Sequence, residues 1–171
     1  MKILFAIMPC VLIVSCATPN ASKIECQLDD LIAILRNQSV SDDVKREVGA
    51  KIKSYGKEAI PILIKNQYDK AVCFPKCRIK SLPRNPPPSM RTTYSLSVGR
   101  YCKALIFSII MHPDDPTFFR SKHMPYRWKI EKNLEGWWKD NKNKKLKQIQ
   151  REVMEYNIQE LDKEDRELLN Y

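Results

Sequence analysis

The chain has 171 residues, enough for one domain, and 43% of them are hydrophobic, enough for a core. Thirty basic and twenty acidic residues give a formal net charge of +10, which indicates anionic lipid or an acidic polymer outside the cytoplasm, or only solvated helix faces. The four glycines form no phosphate-cradling loop and no G-x-S-x-G elbow, which excludes the enzyme classes that depend on those motifs.

The amino terminus is predicted to be an export leader. Lys2 precedes an apolar run over residues 3–14 that is too short for a permanent membrane span. The run ends in Val14-Ser15-Cys16, which resembles the bacterial lipoprotein signal, and that resemblance implies removal of residues 1–15 and lipid attachment to Cys16. The alternative is an ordinary secretory leader cleaved nearby, for example after Ala17. In enteric-type bacteria an acidic residue at position 17 is the usual signal for retention in the inner membrane, so Ala17 favours the periplasmic face of the outer membrane if the organism is Gram-negative.

Two helices are predicted after a short tether over residues 16–22. Ser22 and Glu25 form a capping box for the first helix, over residues 23–37. Ser41 caps the second, whose core face is Val44, Val48, Ile52 and Tyr55, while its basic residues Lys45, Arg46, Lys51 and Lys53 stay in water.

A glycine and a proline mark the next junction. Gly56 ends the second helix in the left-handed conformation, and a third helix runs from residue 57 to about residue 70. Pro61 is tolerated because it lies in the first turn of that helix, where its missing N–H has no partner.

This junction resembles a HEAT-type repeat. The matching residues are Asp42-Asp43-Val44-Lys45 and the segment YGKEAIPILI that begins at Tyr55. The resemblance implies an all-α fold, a short HEAT-like helical repeat (an α-α superhelix) with C-terminal capping helices over residues 23–171. It also implies a scaffold that binds other proteins, and it implies no enzymatic activity.

Residues 71–93 interrupt the repeat as an irregular proline-rich loop. We expect it either to bind a partner or to be a surface insertion. Its candidate interaction residues are Pro83, Arg84, Pro86, Pro87 and Pro88.

Three further helices are predicted after this loop, over residues 94–111, 126–140 and from residue 146 onward, with a last short helix capped at Asp162. Trp137-Trp138 and the basic turn that follows look like the C-terminal part of uncharacterised bacterial HEAT-like lipoproteins. The tryptophans are more typical of core packing than of a ligand-stacking site with Trp128, Phe118 and Phe119.

Four cysteines remain after the leader and its lipid-carrying Cys16. Cys102 lies on a core face, as a buried thiol or half of a buried bridge, and Cys26 points away from the core. We favour a Cys73–Cys77 disulfide, which an exported protein allows. A zinc site is disfavoured because a second closely spaced ligand pair is missing, and no metal or cofactor is expected.

The leading functional hypothesis is a membrane-anchored helical scaffold of the bacterial cell envelope that binds another envelope protein and catalyses no reaction. One alternative is an envelope enzyme, or an enzyme accessory, that uses His112 and Asp115. Another alternative is a basic binder of anionic lipid or polymer, whereas nucleic acid is an unlikely partner for an exported chain.

Overall fold

The computed structural model describes residues 19–78, 93–113, 115 and 125–169. Within these residues the protein is mostly α-helical and has one small antiparallel sheet of two strands. The elements in chain order are α1 (Pro19–Arg36), α2 (Asp42–Ser54), a 3-10 turn (Gly56–Ala59), α3 (Ile60–Lys65), β1 (Val72–Arg78), β2 (Thr93–Ser97), α4 (Val98–Ile110), α5 (Pro125–Glu131), α6 (Leu134–Asn141) and α7 (Leu146–Leu169).

The local signals around α2 act as predicted. The Val44 amide donates to the Ser41 hydroxyl at 3.4 Å, so Ser41 is the N-cap. Gly56 has a φ of 59°, the left-handed conformation that only glycine adopts at little cost. Pro61 lies in the first turn of α3, where a missing N–H costs nothing.

The first four helices form two antiparallel pairs, α1 with α2 and α3 with α4. Arg36 at the end of α1 bonds Asn66 and Asp69, just past the end of α3, with both distances 2.6 Å, so α1 and α3 run parallel. The Tyr101 hydroxyl near the start of α4 lies against Gly49 of α2. The apolar faces of these helices enclose one core, together with α6 and α7.

The segment between α3 and α4 contains two paired strands, β1 and β2, which form a hairpin. Val72 pairs with Ser97, and the two strands run antiparallel with irregular register. Residues 71–93 were predicted to be irregular, but residues 72–78 form β1 and residue 93 begins β2. Pro75 is tolerated because a two-stranded sheet has only edge strands. The candidate interaction residues from Pro83 to Pro88 lie outside the described residues.

Several predicted helix boundaries are wrong. Helix α1 begins at Pro19, so Ser22 lies inside it and residues 19–22 are not part of a tether. Helix α3 ends at Lys65, about five residues early, and the chain then turns into β1. Helix α4 begins at Val98 because the Ser97 hydroxyl accepts from the Arg100 amide at 3.3 Å.

The C-terminal helices also differ from the prediction. Asn133 caps α6 by accepting from the Gly136 amide at 2.9 Å, which divides the helix predicted over residues 126–140 into α5 and α6. Asp162 begins no new helix, because α7 continues to Leu169.

The predicted burial of two neighbouring side chains, Val44 and Lys45, is wrong. Lys45, predicted to stay in water, is 1% exposed, whereas Val44, predicted to be core, is 44% exposed. The Lys45 ammonium donates to the Cys73 carbonyl at 2.7 Å. Strand β1 covers the first half of α2 and supplies this acceptor, so a lysine faces the strand where an isolated helix would face water.

Helix α4 and the backbone before β1 approach so closely that residue 99 must be glycine. The Gly99 amide donates to the Asp69 carbonyl at 2.9 Å, and a β-carbon at residue 99 would lie 2.6 Å from the Gln67 carbonyl oxygen. Backbone cannot move aside as a flexible side chain can.

Replacement of this glycine should therefore destabilise the protein. We expect Gly99→Ala to lower the free energy of unfolding in urea by about 2–3 kcal/mol, the cost of overpacking. The neighbouring exposed change Arg100→Ala should alter it by less than about 0.5 kcal/mol. Equal midpoints for the two variants would contradict the close approach.

Candidate functional site

One end of the helical bundle gathers the start of α1, the ends of α2, α4 and α6, and the start of α7. The Tyr55 hydroxyl donates to Gln27 Oε1 at 3.1 Å and joins the end of α2 to the first half of α1. The Lys57 ammonium donates to the Lys144 carbonyl and joins the 3-10 turn to the α6–α7 connection. We define residues 51–58 and 139–147 as the basic end.

The basic end holds most of the excess charge of the protein. Its seventeen residues include two acidic side chains, Glu58 and Asp140, and eight lysines, which gives a formal charge of +6 out of +10 for the whole chain. Glu25 and Glu152 flank this surface. The lysines are Lys51, Lys53, Lys57, Lys139, Lys142, Lys144, Lys145 and Lys147.

Ion pairs hold few of these lysines. Lys144 pairs with Glu152 at 2.6 Å. Four exposed lysines, Lys139, Lys142, Lys145 and Lys147, have no ion pair with any residue in the described parts of the chain. Their charges act outward into solvent, and a surface of this kind attracts anions.

The two adjacent tryptophans lie beneath this surface. Trp137 is buried and its indole N–H donates to the Tyr126 hydroxyl at 2.8 Å, which confirms core packing for that residue. Trp138 is half-buried, and the Lys57 ammonium lies 5.8 Å from the centre of its ring. Phe118, Phe119 and the Trp128 side chain, which completed the stacking alternative, lie outside what the structure describes.

The enzyme alternative requires His112 and Asp115 to share a cavity. His112 is half-buried and lines a cavity of about 460 Å³ together with Lys53, Ser108 and Gln150. Asp115 is 2% exposed and does not line this cavity. Its carboxylate accepts from the Asn157 amide at 3.3 Å, and its backbone N–H donates to the His112 carbonyl.

Side chains of α7 bond the end of α4 and the Asp115 carboxylate. The Gln150 amide caps α4 by donating to the carbonyls of Ile109 and Met111, at 2.9 and 3.3 Å. Asn157 also accepts from the Tyr126 amide at 3.1 Å, so the Asp115 carboxylate belongs to a network that joins α5 to α7. The cavity thus offers an imidazole and a hydroxyl, with no carboxylate among its described lining residues.

Cys73, Cys77 and Cys102 lie toward the opposite end, at or near the hairpin, whereas Cys26 lies in the first half of α1. Cys73 and Cys102 are fully buried and Cys26 is exposed, as predicted for Cys26 and Cys102. Burial raises the pKa of the Cys73 thiol to about 11, although the nearby Lys45 opposes this, and burial raises the pKa of Cys102 to about 12. Burial, followed by the Asp42 carboxylate, raises the pKa of Cys77.

All four of these cysteines carry free thiols, so the structure does not contain the Cys73–Cys77 bridge predicted from the sequence. Both residues lie in β1, where four residues of regular strand span about 13 Å. A disulfide requires its α-carbons to be about 4–7 Å apart, so this strand would have to fold back on itself.

The remaining predicted site, Cys16, precedes the first described residue. Within the described ranges, no helix has the length and apolar content to cross a bilayer. In the same ranges, no three metal-binding side chains converge.

Comparisons of this chain with protein-family models, with curated proteins and with solved structures found no match.

Thiol reactivity tests the packing of the hairpin. At about pH 8, a thiol with a pKa near 11 is ionised in roughly one molecule per thousand, and the thiolate is the nucleophile. We therefore expect iodoacetamide to alkylate the exposed Cys26 at least about tenfold faster than Cys73 or Cys102. Peptide mass spectrometry over time gives the rates.

The same reaction in denaturant is the control, because all four thiols should then react at similar rates. Alkylation of Cys73 in the folded protein as fast as Cys26 would contradict its burial. A non-reduced digest of protein taken from an oxidising compartment would also reveal any Cys73–Cys77 linkage.

Proposed function

We propose that this protein is a lipid-anchored helical binding module of the bacterial cell envelope, which holds a partner protein near a membrane and catalyses no reaction. The observation that carries the proposal is the stacking of two antiparallel helix pairs, α1 with α2 and α3 with α4, in a chain whose lipoprotein-like leader directly precedes Cys16.

The stacking supports a HEAT-like arrangement. Repeats of this kind place equivalent helices of successive pairs side by side and parallel. Arg36 and Asn66 lie together at the ends of α1 and α3, and Gly49 and Tyr101 lie together on α2 and α4. The hairpin is then an insertion between the two helices of the second repeat, and α5, α6 and α7 cap the short array.

An array of this size leaves helix faces for a partner. The segment that joins the strands of the hairpin contains Arg84 and the proline run from Pro86 to Pro88. Prolines restrict the conformations of an unbound chain, so a proline-rich segment loses little conformational entropy on binding. The repeat face and this segment are the two surfaces proposed for an envelope protein.

The enzyme alternative has one favourable observation, the cavity lined by His112 and Ser108. Asp115 is engaged by Asn157 and does not line that cavity. The helix pairs and the leader support binding more directly than this cavity supports catalysis, and we therefore propose binding.

Lipid attachment is tested at the first residue of the proposed mature chain. Intact-mass and peptide analysis of the protein purified from bacterial membranes should find Cys16 at the amino terminus with acyl groups attached. Cys16→Ala should abolish both the acylation and the cleavage before residue 16. Cys10→Ala, a change of the other leader cysteine, should alter neither.

A mature chain that begins at Thr18 without lipid would contradict this anchor and favour the ordinary secretory leader. Persistence of the Cys16→Ala chain on membranes after correct removal of its leader would mean that another segment holds it there.

Partner binding is tested by photo-crosslinking in cells. A crosslinker at Arg84 or at the exposed Glu47 of α2 should capture a discrete envelope protein. A crosslinker at the exposed Lys65 of α3 serves as the control. Equal capture from all three positions, or none from the first two, would contradict the proposed surfaces.

A further inference from the structure

We propose that the basic end binds anionic phospholipid headgroups and lies against the membrane that carries the lipid of Cys16. This inference rests on the proposed anchor and adds an orientation to it. The observations that carry it are the unpaired lysines of the basic end and the contacts that place this end beside the start of α1.

The chain between the anchor and the fold is short. Two residues, Ala17 and Thr18, separate Cys16 from Pro19, where α1 begins, so the three steps between these α-carbons span at most roughly 11 Å when fully extended. The first turn of α1 is therefore held close to the headgroup layer if Cys16 carries the lipid. The part of the protein near that turn is therefore the part that the tether holds closest to the anionic surface, whose field falls off over a Debye length of about 8 Å.

The basic end is that part. Ile24 and Glu25 of α1 line a cavity of about 270 Å³ together with Glu58 and Pro61, so the 3-10 turn packs directly on the first half of α1. On the other side of the same turn, Lys57 bonds the Lys144 carbonyl, and Gly56 and Leu146 both line the cavity of about 460 Å³. The 3-10 turn thus connects the anchored end of α1 to the lysine-rich α6–α7 connection.

The acidic groups at this end do not neutralise it. Glu152 pairs with Lys144, Glu25 belongs to α1, and Glu58 lies beside α1. Asp140 is exposed within the basic end, but with Glu58 it offsets only two of the eight lysine charges. The exposed Lys142, Lys145 and Lys147 form no ion pair with the described residues and occupy one connection and the helix turn after it. Clustered lysines next to a membrane anchor are attracted to anionic headgroups.

A membrane surface suits this end better than a soluble polyanion. The covalent lipid would hold the lysines permanently near the headgroups, which is a high effective concentration for weak charge contacts. A single acyl anchor is strengthened by a second, basic signal. Half-buried Trp138 at this end is also a residue typical of the membrane interface.

The experiment measures lysine protection in the full lipidated chain. The protein purified from bacterial membranes is incorporated into vesicles of pure phosphatidylcholine or of phosphatidylcholine with a third phosphatidylglycerol. A water-soluble amine acylating reagent is added, and peptide mass spectrometry follows each lysine on externally oriented protein. Lys142, Lys145 and Lys147 should react about fivefold more slowly on the anionic vesicles, and high salt should remove the difference.

Matched variants separate position from total charge. The triple change of Lys142, Lys145 and Lys147 to Gln removes three charges from the basic end. The triple change of Lys70, Lys76 and Lys132 to Gln removes three from exposed positions elsewhere. Only the first variant should lose the protection of Lys139 on anionic vesicles, and circular dichroism checks that both are folded.

The outcomes distinguish the inference from the anchor on which it rests. Acylated Cys16 without lysine protection leaves the anchor standing and overturns headgroup binding. Equal loss of protection in both variants also overturns it, because the effect would then follow net charge alone. If Cys16 carries no lipid, the same vesicles are added to the unlipidated protein, and protection of the basic end would support headgroup binding without the anchor. Absence of protection there would overturn it.

Discussion

The left-handed backbone at Gly56 is the constraint on which this end of the molecule depends. Its φ of 59° ends α2 and starts the 3-10 turn, and the side chain of Leu146 approaches within 3.4 Å of the position that a β-carbon would occupy. A residue with a β-carbon would meet both backbone strain and this contact. The 3-10 turn that follows Gly56 contacts α1 through Glu58 and the α6–α7 connection through Lys57. The backbone at Gly56 therefore helps to place the α6–α7 connection beside α1, although the two are distant in sequence.

Signals that act within one turn of helix could be predicted from the sequence. Ser41, Gly56 and Pro61 each determine the backbone of adjacent residues, and each acts in the structure as its chemistry requires. The assignment of Lys45 failed because its acceptor is the carbonyl of Cys73, twenty-eight residues later in a strand that was not predicted. The spacing of apolar residues within α2 cannot predict which other segment of the chain packs against that helix.

The candidate site likewise has features that the sequence alone could predict and features that depend on contacts between distant residues. The sequence itself shows that lysines are concentrated over residues 139–147. Their position beside α1 depends on the contact between Lys57 and Lys144, which are eighty-seven residues apart. The pairing of His112 with Asp115 was suggested by closeness in sequence alone. In the structure the carboxylate turns to Asn157 of α7, because a buried carboxylate needs donors and the end of α4 supplies few.

The stability of the fold does not account for the basic end. Lysines gathered at one end repel each other, and exposed ion pairs would contribute little even where acidic partners were present. Elsewhere the protein does bury and bond its charged groups, as with Lys45 at the hairpin and Asp115 against α7. The protein bonds Lys45 inside its core but leaves four lysines of the basic end without ion pairs to the described residues. An external anionic surface would reduce the repulsion between those lysine charges. If the basic end binds headgroups as proposed, contact with such a surface should both orient the protein and stabilise its fold.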